Sequence, residues 1–261
     1  FLDAEDAIDG TQSSGGQTRL RAISPVLPRV SNHTDLDPLR LHPEVDFSWV
    51  GPGQPIPPTD LVVLPGSKSV INDLAWLRQQ GWDAYLQRHL RYGGKVLGLC
   101  GGYQMLGNWV RDPHGMEGEP GQTQGLGWLD LDTALERNKH LRQVAGSLTL
   151  TPARLNGYEI HLGVTTGEAL TRPLVRLDDG RADGAISEDG LVAGTYVHGL
   201  MDHPEALAAV LSWAGMAEAV TEDIGARREA DLDRLADAIE SHLDLGRLLQ
   251  ASSSHPHSPR E

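Results

Sequence analysis

One cysteine stands in 261 residues, which rules out an internal disulfide and a thiolate zinc cluster. A reducing cytoplasm is the natural setting for a single working thiol. Cationic side chains are scarce too, with 22 Lys and Arg against 36 Asp and Glu and a formal net charge of −14. Phosphate-rich partners need a basic face, so neither nucleic acid nor an anionic membrane is an expected partner. No apolar run approaches the length of a membrane span, and no signal segment opens the chain. There is no G-x-x-x-x-G-K-[ST] phosphate loop, so ATP chemistry is not expected in this chain. No internal repeat is present. What remains, 39% hydrophobic with 30 Gly and 16 Pro, suits a loop-rich α/β protein long enough to bury a sizeable core.

The cysteine sits at a joint. Residues 95–99 form a short apolar run suited to a buried strand, and Tyr103, Met105 and Leu106 suit the start of a helix. Between them, Gly98-Leu99-Cys100-Gly101-Gly102 has the G-x-nucleophile-x-G pattern of a strand-to-helix elbow. Such a turn is tight, so its neighbours must lack side-chain bulk. A lone cysteine is more often a small buried hydrophobe, but a packing residue needs no elbow. Cys100 therefore reads as a nucleophile, with backbone N–H groups at the helix start as oxyanion donors.

Around it the order is strand, helix, strand. Strands are expected over 20–30, 45–50 and 60–68, the last closing in Pro65-Gly66, and helices over 69–81 and 84–92. That order predicts a doubly wound, mostly parallel sheet flanked by helices, with active residues at the C-terminal strand ends. Residues 111–124 read as a Gly/Pro-rich loop and 143–152 as a strand. In 157–163, alternation puts Glu159 and His161 on one face and Tyr158, Ile160 and Leu162 on the other. A buried strand over 191–200 ends in His198-Gly199, and helices follow over 204–214 and 226–249.

Gly98-Leu99-Cys100-Gly101-Gly102-Tyr103-Gln104 resembles the nucleophile segment of class I glutamine amidotransferases, in the form seen in the cobyric acid synthase family. Ser31-Asn32-His33-Thr34-Asp35-Leu36-Asp37-Pro38-Leu39 is similar to that family's S-N-x-T-D-x-D-P-L, and by itself reads as a turn with a helix cap at Thr34 or Asp35. Gly115-Met116-Glu117-Gly118, the run 125–130, Gly157-Tyr158-Glu159-Ile160-His161-Leu162-Gly163 and the G-T-Y-x-H-G of 194–199 extend the likeness over about residues 18–250.

The resemblance implies a flavodoxin-like amidotransferase domain over 18–250, preceded by a linker and synthetase remnant over 1–17 and followed by a disordered tail over 251–261. It implies Cys100 and His198 as the catalytic pair, Gly66 and Gly101 as oxyanion donors, and Gln104 with Tyr103 in the glutamine pocket. The expected activity is a ligase with glutamine as amido donor, working through a thioester. Ammonia would pass to an ATP- and Mg-dependent synthetase domain that amidates corrinoid carboxylates in cobalamin biosynthesis, converting adenosylcobyrinic acid a,c-diamide to adenosylcobyric acid. No cofactor or metal is expected in this chain.

Many class I relatives orient the histidine with a glutamate two residues later. Here that position is Leu200, and His203-Pro204-Glu205 matches H-P-E only by spelling, past the Gly199 turn. The expectation is a Cys–His dyad, with Asp202 or Glu159 as the carboxylates available to orient the imidazole, and Glu159 and His161 near the site. Two other readings remain: the amidotransferase part of a related synthase, such as cobyrinic acid a,c-diamide synthase or a cell-wall amidating enzyme, and a silent domain that only docks a synthetase.

Overall fold

The computed structural model describes residues 18–219, 221 and 223–243; the expected linker over 1–17, the tail over 251–261 and the end of the last helix lie outside them. In chain order come β1 (Leu20–Pro25), β2 (Val30–Ser31), a 3-10 turn (His33–Leu36), α1 (Asp37–Arg40), β3 (Val45–Val50), β4 (Leu61–Leu64) and β5 (Gly66–Ser67). Then follow α2 (Val70–Gln79), α3 (Trp82–Arg91), β6 (Lys95–Leu99), α4 (Gly101–Met105), β7 (Trp109–Asp112) and β8 (Gly121–Gln124). The rest is β9 (Asp132–Leu148), β10 (Ala153–Thr166), β11 (Val175–Leu177), β12 (Ala182–Asp183), β13 (Ala185–Ile186), β14 (Val192–Thr195), β15 (Val197–His198), α5 (Pro204–Trp213) and α6 (Ile224–His242).

Five strands run parallel in the order β3-β1-β4-β6-β14, with β13 antiparallel at one edge. Taken in chain order, the five are arranged 2-1-3-4-5, the flavodoxin-like winding. The continuous apolar run of β4 is what a strand covered on both faces requires. Leu61 and Val63 point into one core with Leu97, Leu99 and α5, while Val62 and Leu64 point into another with Val96, α2 and α3. The doubly wound sheet expected from the sequence is present.

A second, seven-stranded sheet is the unexpected part. Its main path is β12-β11-β9-β10-β15, with β7 beside β9 and β8 beside β7. β9 begins at Asp132 rather than Gln143; Glu136, Arg137 and Arg142 in the added length are exposed, and the polar run of sequence over 136–140 has no apolar alternation to betray a strand. The segment 111–124, read as a loop, holds the end of β7 and the polar, mostly exposed β8 that pairs with it as a hairpin. Its turn is organised by Asp112, whose carboxylate accepts the N–H groups of Met116 and Glu117 at 2.8 and 2.9 Å.

Between Thr195 and Val197 the chain leaves the parallel sheet and joins the antiparallel one. β14 lies beside β6, whereas β15 pairs with Tyr158 and Glu159 of β10. The buried Asp183 carboxylate pins this crossing by accepting the Thr195 hydroxyl and, at 3.0 Å, the Tyr196 N–H. Burial pushes the Asp183 carboxyl up to about 6, against the pull of those hydrogen bonds.

Candidate active site

Cys100 stands at the C-terminal end of β6 with φ 49° and ψ −107°, a conformation that costs an L-residue on the order of 1–3 kcal/mol. The glycines around it answer to space. A Cβ on Gly102 would lie 2.1 Å from the Leu64 carbonyl oxygen, and one on Gly101 2.7 Å from the Ser67 nitrogen. The elbow is thus wedged against the end of β4. The thiol donates toward the Ile160 carbonyl of β10 at 3.6 Å.

His198 arrives from the other sheet. Its Nδ1 lies 2.6 Å from Asp35 Oδ2, and the Gly199 N–H donates to Asp35 Oδ1 at 2.8 Å. Asp35 is therefore bound through both oxygens, by one side chain and one backbone group. The ring stacks on Tyr158 with centroids 5.2 Å apart, and the Tyr158 hydroxyl accepts from Asn32 Nδ2 at 2.8 Å. Burial alone would lower the imidazole, but the Asp35 hydrogen bond, the neighbouring Cys100 and the Asp35 charge override it and lift His198 to about 10. The buried Nε2 makes no formed hydrogen bond, and its approach to the thiol is close enough only to add to that rise.

Cys100 opens into a cavity of about 220 Å3 lined by Ser31, Asn32, Ser67, Lys68, Gln104 and Glu117, with Met116 and residues 160–162 completing the wall. That is below the roughly 300–1,000 Å3 of pockets for larger ligands, and fits a molecule of amino-acid size. Larger cavities exist, one of about 720 Å3 beside Asn108 and Gly167, but Cys100 lines none of them.

Of the residues singled out from the sequence, Cys100, Gln104 and His161 line this cavity. Both amide hydrogens of Gln104 are engaged, with the Leu162 carbonyl at 3.0 Å and the Tyr196 hydroxyl at 3.2 Å. Gly66 stands opposite Ser31 in the β2–β5 pair, and the neighbouring Ser67 is the residue that reaches the cavity. Three expectations need correction. Tyr103 is buried in the core with its ring edge-on to Tyr196, not in the Cys100 cavity. Glu159 pairs with Arg181 at 2.9 Å and Asp202 with Arg228 at 3.0 Å, so neither is the carboxylate on His198. The carboxylate on His198 is Asp35, a residue the sequence reading did not single out for that place. His203 accepts the Glu205 N–H and caps α5.

Asp35 was hidden by distance, 163 residues from its partner. Its signals were its place in the S-N-x-T-D-x-D-P-L segment and in a turn between the first two parallel strands, near the strand ends where active residues gather. A thiol, an imidazole and a carboxylate are the groups that nucleophilic acyl transfer uses. Among the described residues no group of three or more His, Cys, Asp or Glu could hold a metal ion, and no helix is long and apolar enough to cross a membrane.

Residues 21–206 match the family model of the CobB/CobQ-like glutamine amidotransferase domain. Two solved structures share the fold. PurLQS from Thermotoga maritima is 18% identical with a TM-score of 0.52, over 82% of this chain and 99% of that one. A glutamine amidotransferase is 16% identical with a TM-score of 0.53, over 74% of this chain and 99% of that one.

Proposed function

Since this chain belongs to the CobB/CobQ-like glutamine amidotransferase family, we propose that it hydrolyses glutamine at Cys100 with His198 as proton carrier and Asp35 as the group that orients it. The Cys100 thiolate attacks the side-chain amide carbon, and the carbonyl electron pair moves to oxygen. Protonated His198 gives its proton to the amide nitrogen, the C–N bond breaks, and ammonia leaves a thioester on Cys100. The neutral imidazole then takes a proton from water as the hydroxide adds. Collapse releases glutamate and restores the thiolate. The oxyanion is held by the Gly101 N–H and the Gly66–Ser67 turn, each donor worth roughly 3 kcal/mol. Asp35 keeps Nε2 as the nitrogen that exchanges the proton.

The observation that carries this reading is the 2.6 Å contact of Asp35 with a buried His198 whose ring stands beside Cys100. The ammonia is destined for a synthetase domain using ATP and magnesium, and the acceptors are corrinoid carboxylates, as in cobyric acid synthase. The segments over 31–39 and 157–163 support that choice among the related synthases. Glutamate release from glutamine tests the chemistry: Cys100→Ala and His198→Ala should abolish it and His203→Ala should spare it. Turnover surviving in Cys100→Ala would overturn the reading. Glutamine-dependent amidation of adenosylcobyrinic acid a,c-diamide, with the synthetase domain and ATP present, tests the acceptor.

A further inference from the structure

Ser67 meets both halves of the oxyanion site. It follows Gly66 in β5, it lines the Cys100 cavity, and a Cβ added to Gly101 would stand 2.7 Å from its nitrogen. Its hydroxyl is fixed from two sides, accepting the Ser69 N–H at 2.9 Å and donating to Asp73 Oδ2 at 2.6 Å. The same Asp73 oxygen accepts the Arg29 N–H at 3.3 Å, and the Arg29 carbonyl accepts the Lys68 N–H at 2.8 Å. Asp73 thus ties Ser67 to the start of β2, the strand that pairs Val30 with Ser67 and Ser31 with Gly66.

Asp73 lies in the first turn of α2, where a carboxylate ordinarily serves the helix's own free N–H groups. Here Glu117 accepts the Val70 N–H instead, and Asp73 turns away to Ser67 and Arg29. The arrangement is costly. Asp73 is 1% exposed, its Oδ1 meets no hydrogen-bond partner among the described residues, and burial raises its carboxyl above the usual range. An apolar side chain would serve packing better, so what the carboxylate adds is the placement of Ser67.

We propose that Asp73 is a positioning residue for acyl transfer at Cys100: by fixing the Ser67 side chain, it sets the backbone donors of the Gly66–Ser67 turn against the oxyanion. This deepens the glutaminase reading and rests on the oxyanion site named there. Asp73 does not line the cavity and acts through Ser67.

The test compares two reactions of Cys100 in the full chain, where no other cysteine competes. With p-nitrophenyl acetate, the thiolate adds to the carbonyl carbon and an electron pair moves to oxygen; the carbonyl then re-forms as p-nitrophenolate leaves. With iodoacetamide, the same sulfur displaces iodide and no oxyanion forms. A Cys100→Ala blank subtracts acylation elsewhere. Asp73→Ala should slow acylation about 10–10²-fold and leave alkylation unchanged, because misplaced donors are felt only by the oxyanion. Ser67→Ala breaks the same bond from its other end and should do likewise, and the double variant should be no slower than the slower single one. Asp73→Asn keeps an acceptor for the Ser67 hydroxyl and should restore most of the acylation rate. A merely structural Asp73 would slow both reactions by one factor, or neither; either result overturns the proposal, as do additive effects in the double variant. If Asp73→Ala fails to fold, the two rates of Ser67→Ala decide by the same criterion. Glutamate release from glutamine by the unmodified chain is read separately, so its absence strikes the glutaminase reading while the two rates still judge Asp73.

Discussion

Cys100 and His198 stand beside one another, yet the backbone beneath each is made differently. Cys100 is a local product. Its strand lies inside the parallel sheet, its turn is cleared by Gly101 and Gly102, and every determinant lies within a few residues or in the adjacent strand end. His198 is a product of long range. Its strand leaves the parallel sheet at Thr195, and its ring is set by Asp35 from the turn after β2 and by Tyr158 from the antiparallel sheet. Cys100 is held by close fit and His198 by hydrogen bonds and stacking. Steric changes should therefore injure the first, and polar changes the second.

The largest effect that would sharpen this contrast is that of Asp35→Asn. Loss of the orienting carboxylate should reduce kcat for glutamine about 10²–10⁴-fold with the fold retained. The sign of the pH effect follows from the raised imidazole. His198 sits above its ordinary value, so its contribution to stability is full below about 6.5 and lost as pH rises through about 10. Asp35→Asn should remove that contribution and move the alkaline loss of activity to lower pH. A kcat–pH profile with an unmoved alkaline limb would deny Asp35 its role.

Gly102→Ala is the matching blow to the other half. A Cβ 2.1 Å from the Leu64 carbonyl has backbone, not a flexible side chain, in its way. The expected cost is about 3 kcal/mol of stability, read as a lowered denaturation midpoint, with activity lost as the elbow opens. Full activity at wild-type stability would show that close fit does not hold Cys100.

Asp183→Asn should act least, on the sheet crossing alone. A carboxyl raised to about 6 contributes stability in full below its ordinary value near 4, and that contribution is lost as pH rises through 6. The amide is spared this loss. Its stability relative to wild type should therefore rise between pH 4 and 7, by roughly 1–3 kcal/mol at about 1.4 kcal/mol per unit. Urea titrations at the two ends of that range give the difference, and a constant gap would mean that Asp183 is not buried as described.

The two halves were also unequally legible. The elbow could be read because a G-x-nucleophile-x-G pattern has a steric cause inside a five-residue window. The parallel strands could be read because β4 and β6 are apolar on both faces. The sheet crossing could not: Thr195-Tyr196-Val197 continues an apolar run without a break, and the residue that bends it, Asp183, belongs to a different strand. Asp35 resembled a helix cap for the same reason, since its partner is set by the tertiary fold. Tyr103 was misplaced because a helix start after a nucleophile has an inner face and an outer one, and only packing against Tyr196 decides between them.

Tyr158, Ile160 and Leu162 sit at alternate positions along β10, and each touches a different working part: the His198 ring, the Cys100 thiol through its carbonyl, and the Gln104 amide through its carbonyl. The strand is a rack with three pinions engaged. Any slip along its length turns all of them at once, so His198, Cys100 and the pocket wall stay in step or fail together.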